Sequence, residues 1–319
     1  MEAPNPRPPQ HTEPGTDAFS GAVRSLMDAL YAIAPLDTWL LTRVEGRDWI
    51  ILHVLDQGDT IAPGVVLDWH GSCCIHMACG DAPSIAPDTS GIPVYHDAPV
   101  NHQLPVGAYV GFPLHDRDGN LFGTLCGVHP EPVDPQLHDR HTALKALADT
   151  AGHLLALQRE NDILDRERQA TALLPSSDPV SGTLNRRGWD MALEGEEERC
   201  QRNGQPCAVV LAEVTDLEPI NRDAGIGQGD RLLAKLGPIL QGLLLPGDRV
   251  ARIAGNRFGL LLVDTGPDAL ERRHAEIRTA LRDHHPAIET GRALRHPGEG
   301  LQHTPHLAER DLLRQRHTR

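Results

Sequence analysis

A chain of 319 residues has room for two ordinary domains. Its formal net charge of -14, without a basic block, excludes nucleic acid and anionic membrane as main partners. Apolar runs stay short of the ~20 residues of a membrane-spanning helix. Residues 1–19 are rich in Pro, Glu and polar side chains, lack the layout of a signal peptide, and read as a disordered lead-in to a cytoplasmic protein. Cys73, Cys74, Cys79, Cys126, Cys200 and Cys207 fit no disulfide framework, and a reducing compartment keeps them as thiols.

Val23, Leu26, Met27 and Leu30 recur at helical spacing and predict a helix over Ala22 to Tyr31. Thr38 to Thr42 and Trp49 to Val54 are β-rich and flank the turn residues Glu45-Gly-Arg-Asp48, a hairpin. A second hairpin joins Ala108 to Leu114 with Leu121 to Val128 through His115-Asp-Arg-Asp-Gly-Asn120. The soft-ligand cluster His70-Gly-Ser-Cys-Cys-Ile-His-Met77 lies between them. It has no recognised zinc spacing, and its plainer reading is a helix with small thiols packed in a core.

From Leu144 to Thr171 the pattern is one long helix. Leu147, Leu154, Asn161 and Arg168 recur every seven residues, interleaved with Thr150, Leu157, Leu164 and Thr171. Two readings stand: a parallel pair of helices with Asn161 fixing register, which makes the protein a homodimer, or one amphipathic helix lying on its own domain. Pro175-Ser-Ser-Asp178 stops the helix. Cys207 to Val214 is a continuous apolar strand carrying Glu213, and Gly229-Asp230 opens a helical run to Leu244. Thr290 to Pro305 is rich in Gly, His and Pro and reads as poorly ordered.

Three short segments stand in order in the second half: Asp178-Pro-Val-Ser-Gly-Thr-Leu-Asn-Arg-Arg-Gly-Trp189, Asn221-Arg-Asp-Ala-Gly-Ile-Gly-Gln-Gly-Asp230, and Arg252-Ile-Ala-Gly-Asn-Arg-Phe258. Together they resemble the opening segment, the base-reading element and the signature hairpin of diguanylate cyclase (GGDEF) domains. In the first half, Gly107-Ala-Tyr-Val-Gly-Phe-Pro-Leu114 and Leu121-Phe-Gly-Thr-Leu-Cys-Gly-Val-His-Pro130 resemble the central strands of a GAF sensor domain. These resemblances imply an α/β (α+β) chain: a GAF domain over 20–143, a signalling helix over 144–174, and over 175–319 a GGDEF domain of the nucleotidyl-cyclase type with a mainly antiparallel central sheet.

The resemblance also implies roles. Asn221 and Asp230 match the positions that read guanine, and a carboxylate can accept the guanine N1 and N2 hydrogens. Glu213 replaces an aspartate that grips the catalytic Mg²⁺, and is either a metal ligand or an ordinary strand-end acid. In the hairpin Ala254 replaces a glycine that serves a left-handed turn or a close phosphate approach. Asn256 and Arg257 replace two acidic residues, while Arg252, Gly255 and Phe258 keep the frame. Arg257 puts a cation where the metal would sit and offers a bidentate phosphate contact. Asp248 survives from a product-inhibition pair whose arginine position is Leu245, and Arg316 stands where a lysine contacts phosphate.

The implied ligands are GTP and Mg²⁺, and the implied setting is cyclic di-GMP signalling with a protein partner. The first reading is a degenerate domain that binds GTP or regulates that partner without making cyclic di-GMP. A weak diguanylate cyclase using Glu213 is the rival. A GAF-centred redox or pigment-binding protein, anchored at Cys73, Cys74 or His76, is the third.

Overall fold

The computed structural model describes residues 10–11, 18–58 and 61–317. It separates into two compact units whose main boundary falls between Glu160 and Asn161. No helix among the described residues is long and apolar enough to cross a membrane.

The first unit opens with strand β1 (Gln10–His11) and helix α1 (Ala18–Ile33). Of the expected disordered lead, Gln10–His11 pair with Leu55 and Asp56, and Ala18 and Phe19 already belong to α1; the remainder lies outside the described residues. Strands β2 (Thr38–Glu45), β3 (Asp48–Asp56), β4 (Val66–Asp68) and β5 (Ile85–Ala86), helices α2 (Cys73–Cys79) and α3 (Pro93–His96), and strands β6 (Ala108–His115) and β7 (Leu121–His129) follow. The sheet order is β1-β3-β2-β7-β6-β5, with β4 against β3 and every pairing antiparallel. Both expected hairpins form. At the second, Asp116 Oδ1 accepts from the backbone of Asp118 and Asn120, an Asx turn that closes the loop.

Two cores lie on this sheet. One, with Val23, Met27, Leu30, Leu41 and Leu125, packs α1 and the start of helix α4 (His141–Ala172). The other holds Trp49, Trp69, Cys73, Cys74, Tyr95, Tyr109 and Cys126. α4 carries a buried stripe of Leu144, Ala148, Ala151, Leu155, Gln158, Asp162 and Arg166. Of the heptad positions read from sequence, Leu147 and Leu154 are partly buried against the first core, whereas Leu157 is 56% exposed, Leu164 49%, and Asn161 is exposed as well. The helix thus carries a buried stripe and, at Leu157, Asn161 and Leu164, an exposed strip.

The second unit holds α5 (Arg186–Asn203), β8 (Cys207–Val214), α6 (Leu217–Ala224), α7 (Ile226–Gly242), β9 (Arg249–Ala254), β10 (Arg257–Val263), α8 (Pro267–His284), β11 (Ile288–Leu294) and α9 (Thr304–His317). Its antiparallel sheet runs β11-β8-β10-β9. Residues alternate along β8: Ala208, Val210 and Ala212 face the α7 and α8 core, while Val209 and Leu211 share the other core with Trp189 of α5 and Ala308 of α9. Thr290 to Pro305, expected to be poorly ordered, instead contains most of β11 and the start of α9. Pairing with the central strand β8 makes this segment a strand despite its composition. Gly291 is required there, since a Cβ would stand 2.3 Å from the Ala308 carbonyl oxygen of α9.

Candidate functional site

The site is built where β8 ends beside the β9–β10 hairpin. Arg257 pairs with Glu213 across the sheet, so both side chains project from the same face. The Arg257 guanidinium donates to Glu213 Oε2 from Nε at 3.1 Å and from Nη2 at 2.7 Å. Its Nη1 donates to Glu309 Oε1 of α9 at 2.6 Å. The Asn256 amide reaches Glu213 Oε1 at 3.4 Å and the Val214 carbonyl at 3.0 Å. Burial works to lower the Arg257 pKa, but its hydrogen bonds to Glu213 and Glu309 hold it above its ordinary value.

This donor set does not fit a divalent cation. Mg²⁺ needs open carboxylate oxygens in near-octahedral geometry, whereas a guanidinium already occupies the space between the two carboxylates. The same contacts bear on phosphate. Three Arg257 nitrogens donate to carboxylates, and an incoming phosphate would meet the negative charge of Glu213 and Glu309. Glu309 went unremarked in the sequence, because only the fold brings α9 to the hairpin.

Turn geometry corrects another expectation. Asp264 is the one non-glycine residue with positive φ among those described, and Gly255 is absent from the positive-φ glycines. The turn at Gly255-Asn256 therefore demands no left-handed residue, and Ala254 carries no backbone penalty. Arg252 secures the turn by donating to the Gly255 carbonyl at 2.7 Å and reaches the Asp178 carboxylate at 3.4 Å. Burial alone would raise Asp178, but the Ser181 amide and hydroxyl and the Arg252 charge bring it below its ordinary value. Phe258 is 1% exposed in the core.

Asn221 and Asp230 form a second locus. Asn221 Oδ1 is buried with no hydrogen-bond partner, and a Cβ on Gly229 would stand 2.0 Å from it. Gly229 is thus what lets α7 approach Asn221 and brings Asp230 beside it. Asp230 is half-buried and makes no hydrogen bond or ion pair among the described residues. The Arg316 side chain lies outside the described residues.

Asp248, read as the remnant of an inhibitory site, is 4% exposed and fully engaged. It accepts from the Leu245 amide at 2.8 Å, the Val263 amide at 2.9 Å and Arg273 at 2.5 Å. It is a structural clamp on the loop before β9.

In the first unit Cys73 and Cys74 sit on α2, 2% and 1% exposed. Cys73 Sγ faces the Tyr95 carbonyl at 3.9 Å, and Tyr109 Oη donates to Cys74 Sγ at 3.2 Å. Burial, and then the neighbouring Cys74, push the Cys73 thiol up to about 12. A hydrogen bond to Cys74 and burial raise Cys126 well above its ordinary value. Burial works to raise Cys74, but its hydrogen bonds with Cys126, Tyr109 and Thr124 bring it below its ordinary value. The raised thiols of Cys73 and Cys126 are packing groups of low reactivity. His76 is half-exposed and does not converge with them on a shared ion. Among the described residues only Glu196, Cys200 and Cys207 approach closely enough to share one. Arg166 and Arg199 already hold the Glu196 carboxylate.

Fold and site define a two-module signalling protein, with a sensor unit and an output unit sharing one long helix. The chain belongs to the GAF and GGDEF families: residues 20–158 match the GAF domain, and residues 176–297 match the diguanylate cyclase, GGDEF domain. It is 24% identical over 250 residues to the diguanylate cyclase DgcP of Escherichia coli (strain K12), covering 76% of this chain and 70% of that protein. It is 30% identical over 149 residues to an uncharacterized protein in the hutH 5' region of Streptomyces griseus, covering 46% of this chain and 60% of that one. Against the crystal structure of diguanylate cyclase SiaD of Pseudomonas aeruginosa in complex with its activator SiaC, the TM-score is 0.44 at 24% identity, covering 57% of this chain and 76% of that chain.

Proposed function

We propose that this is a cytoplasmic signalling protein whose GAF unit governs a GGDEF unit that does not synthesise cyclic di-GMP. The observation that carries the reading is the Glu213–Arg257–Glu309 ion triad. Joining two GTP molecules requires attack of a 3′-hydroxyl on an α-phosphate with metal ions offsetting the charge that develops. An internal guanidinium neutralises the carboxylates that would hold such ions, and losing that stabilisation costs orders of magnitude in rate. The guanine-reading pair is a different matter. The Asp230 carboxylate is half-buried and has unused hydrogen-bonding capacity, which supports binding of GTP through its base without turnover.

In this reading the output is regulatory: nucleotide occupancy alters what the unit presents to a protein partner in cyclic di-GMP signalling. The exposed strip of α4 supports pairing of two copies through that helix, because Leu157 and Leu164 are exposed at heptad spacing with Asn161 between them.

The test is incubation with GTP and Mg²⁺ followed by nucleotide chromatography, with thermal melting in GTP alongside. The expected result is no cyclic di-GMP and a GTP-dependent rise in melting temperature that disappears in Asp230→Ala. Cyclic di-GMP production abolished by Glu213→Ala would instead establish a weak cyclase.

A further inference from the structure

A cavity of about 420 Å³ lies beside the hairpin between α5 and α9, and guanine recognition leaves it unused. We propose that it binds a guanidinium or ammonium group carried on a hydrocarbon arm. Its volume falls in the range of small-ligand sites, about 300–1,000 Å³. Trp189, Leu193, Leu211 and Ile253 give it an apolar lining, with Trp189 and Leu211 almost wholly buried.

The charged lining chooses the ligand. Arg186 and Arg257 are the guanidinium groups of the wall: Arg186 Nε pairs with Asp190 at 3.0 Å near the solvent, and Arg257 is held by Glu213 and Glu309. Glu194, also on the wall, is exposed and has no hydrogen bond or ion pair among the described residues. Three carboxylates of the wall, Asp190, Glu194 and Glu309, therefore stand against two guanidinium groups, leaving one negative charge in excess, at Glu194, over an apolar floor. A cation with a hydrocarbon body satisfies both features, the arm displacing water from the floor and the head pairing with Glu194. Such a group belongs either to a free alkylguanidine or amine, or to an arginine or lysine side chain of a partner peptide.

The experiment titrates the full-length chain at low ionic strength with butylguanidine, with its uncharged counterpart butylurea, and with the peptide acetyl-Gly-Arg-Gly-amide, read by ligand-observed NMR. Butylguanidine is expected to saturate with a Kd of about 1 mM, the range for so few atoms. Butylurea is expected to bind about tenfold more weakly, and Glu194→Gln to weaken butylguanidine by about three- to fivefold, the worth of one exposed charge pair. Glu194 has no partner to lose, so this variant folds as the parent does. A peptide that binds more tightly than butylguanidine assigns the cavity to a protein partner, and equal or weaker binding assigns it to a small molecule. Absence of saturation, equal affinity for butylurea, or an unchanged affinity in Glu194→Gln overturns the proposal. Asp230→Ala leaves this binding intact, which separates the outcome from that of the nucleotide reading.

Discussion

Replacing Arg257 tests the ion triad most directly. In Arg257→Ala, Glu213 and Glu309 lose the cation they share, and Glu213 is only 12% exposed. Breaking a fully buried pair costs about 3–5 kcal/mol. The Arg257 side chain is 26% exposed, so solvent recovers part of that, and about 2 kcal/mol is expected. For a unit of this size that lowers the melting temperature by about 4–8 °C. Arg257→Glu goes further by setting a third carboxylate beside the first two, adding about 1–2 kcal/mol of repulsion after solvent screening. That variant, unlike the parent, presents clustered oxygen ligands to a divalent ion. Mn²⁺ at about 100 times its Kd should return roughly 2.7 kcal/mol. The assay is thermal melting of parent and variants in EDTA and in Mn²⁺. Melting of Arg257→Ala within about 1 °C of the parent, or an equal Mn²⁺ shift in parent and Arg257→Glu, would refute the view that the arginine stands in for a metal.

Three further outcomes follow from the same structure. His274 is 1% exposed, with Nε2 on Thr290 and Nδ1 facing Arg292 at 2.6 Å, so the ring is held neutral. Burial, then Arg292 and Arg278, lower its pKa to about 4, with Asp311 and Glu271 opposing. The unfolded chain binds the proton first, so the contribution to stability is whole above about pH 6.5. It is lost as pH falls toward 4, by on the order of 3 kcal/mol, and urea unfolding of His274→Gln across that window should show a flatter slope. Arg166 is 6% exposed and donates to Glu196 and Gln205, so Arg166→Met should cost about 3 kcal/mol in urea unfolding. If Glu196→Gln added to Arg166→Met costs as much again, the two do not form one network. Leu157→Glu with Leu164→Glu should convert a dimer to a monomer in light scattering without lowering stability by more than about 1 kcal/mol, since both side chains are solvent-facing within one chain.

The sequence by itself determined which modules are present and that the hairpin had exchanged its acids for Asn256 and Arg257. Motif spacing and strand alternation are local properties, set by which residue follows which, and they survive without knowledge of the fold. The long helix was legible for the same reason. The same helix's buried stripe was not, because Asp162 and Arg166 read as surface charges until their burial is seen.

Only the tertiary structure decided what Arg257 does. Its consequence depends on Glu309, which lies far along the chain and reaches the hairpin because α9 packs across the sheet. Asp248 gained a meaning likewise: the carboxylate left over from an incomplete product-inhibition pair is consumed by two backbone amides and Arg273. Whether a charged group is free or spent is a matter of which partners the fold delivers to it. Charge pairing acts over a few ångströms in space and takes no account of distance along the chain.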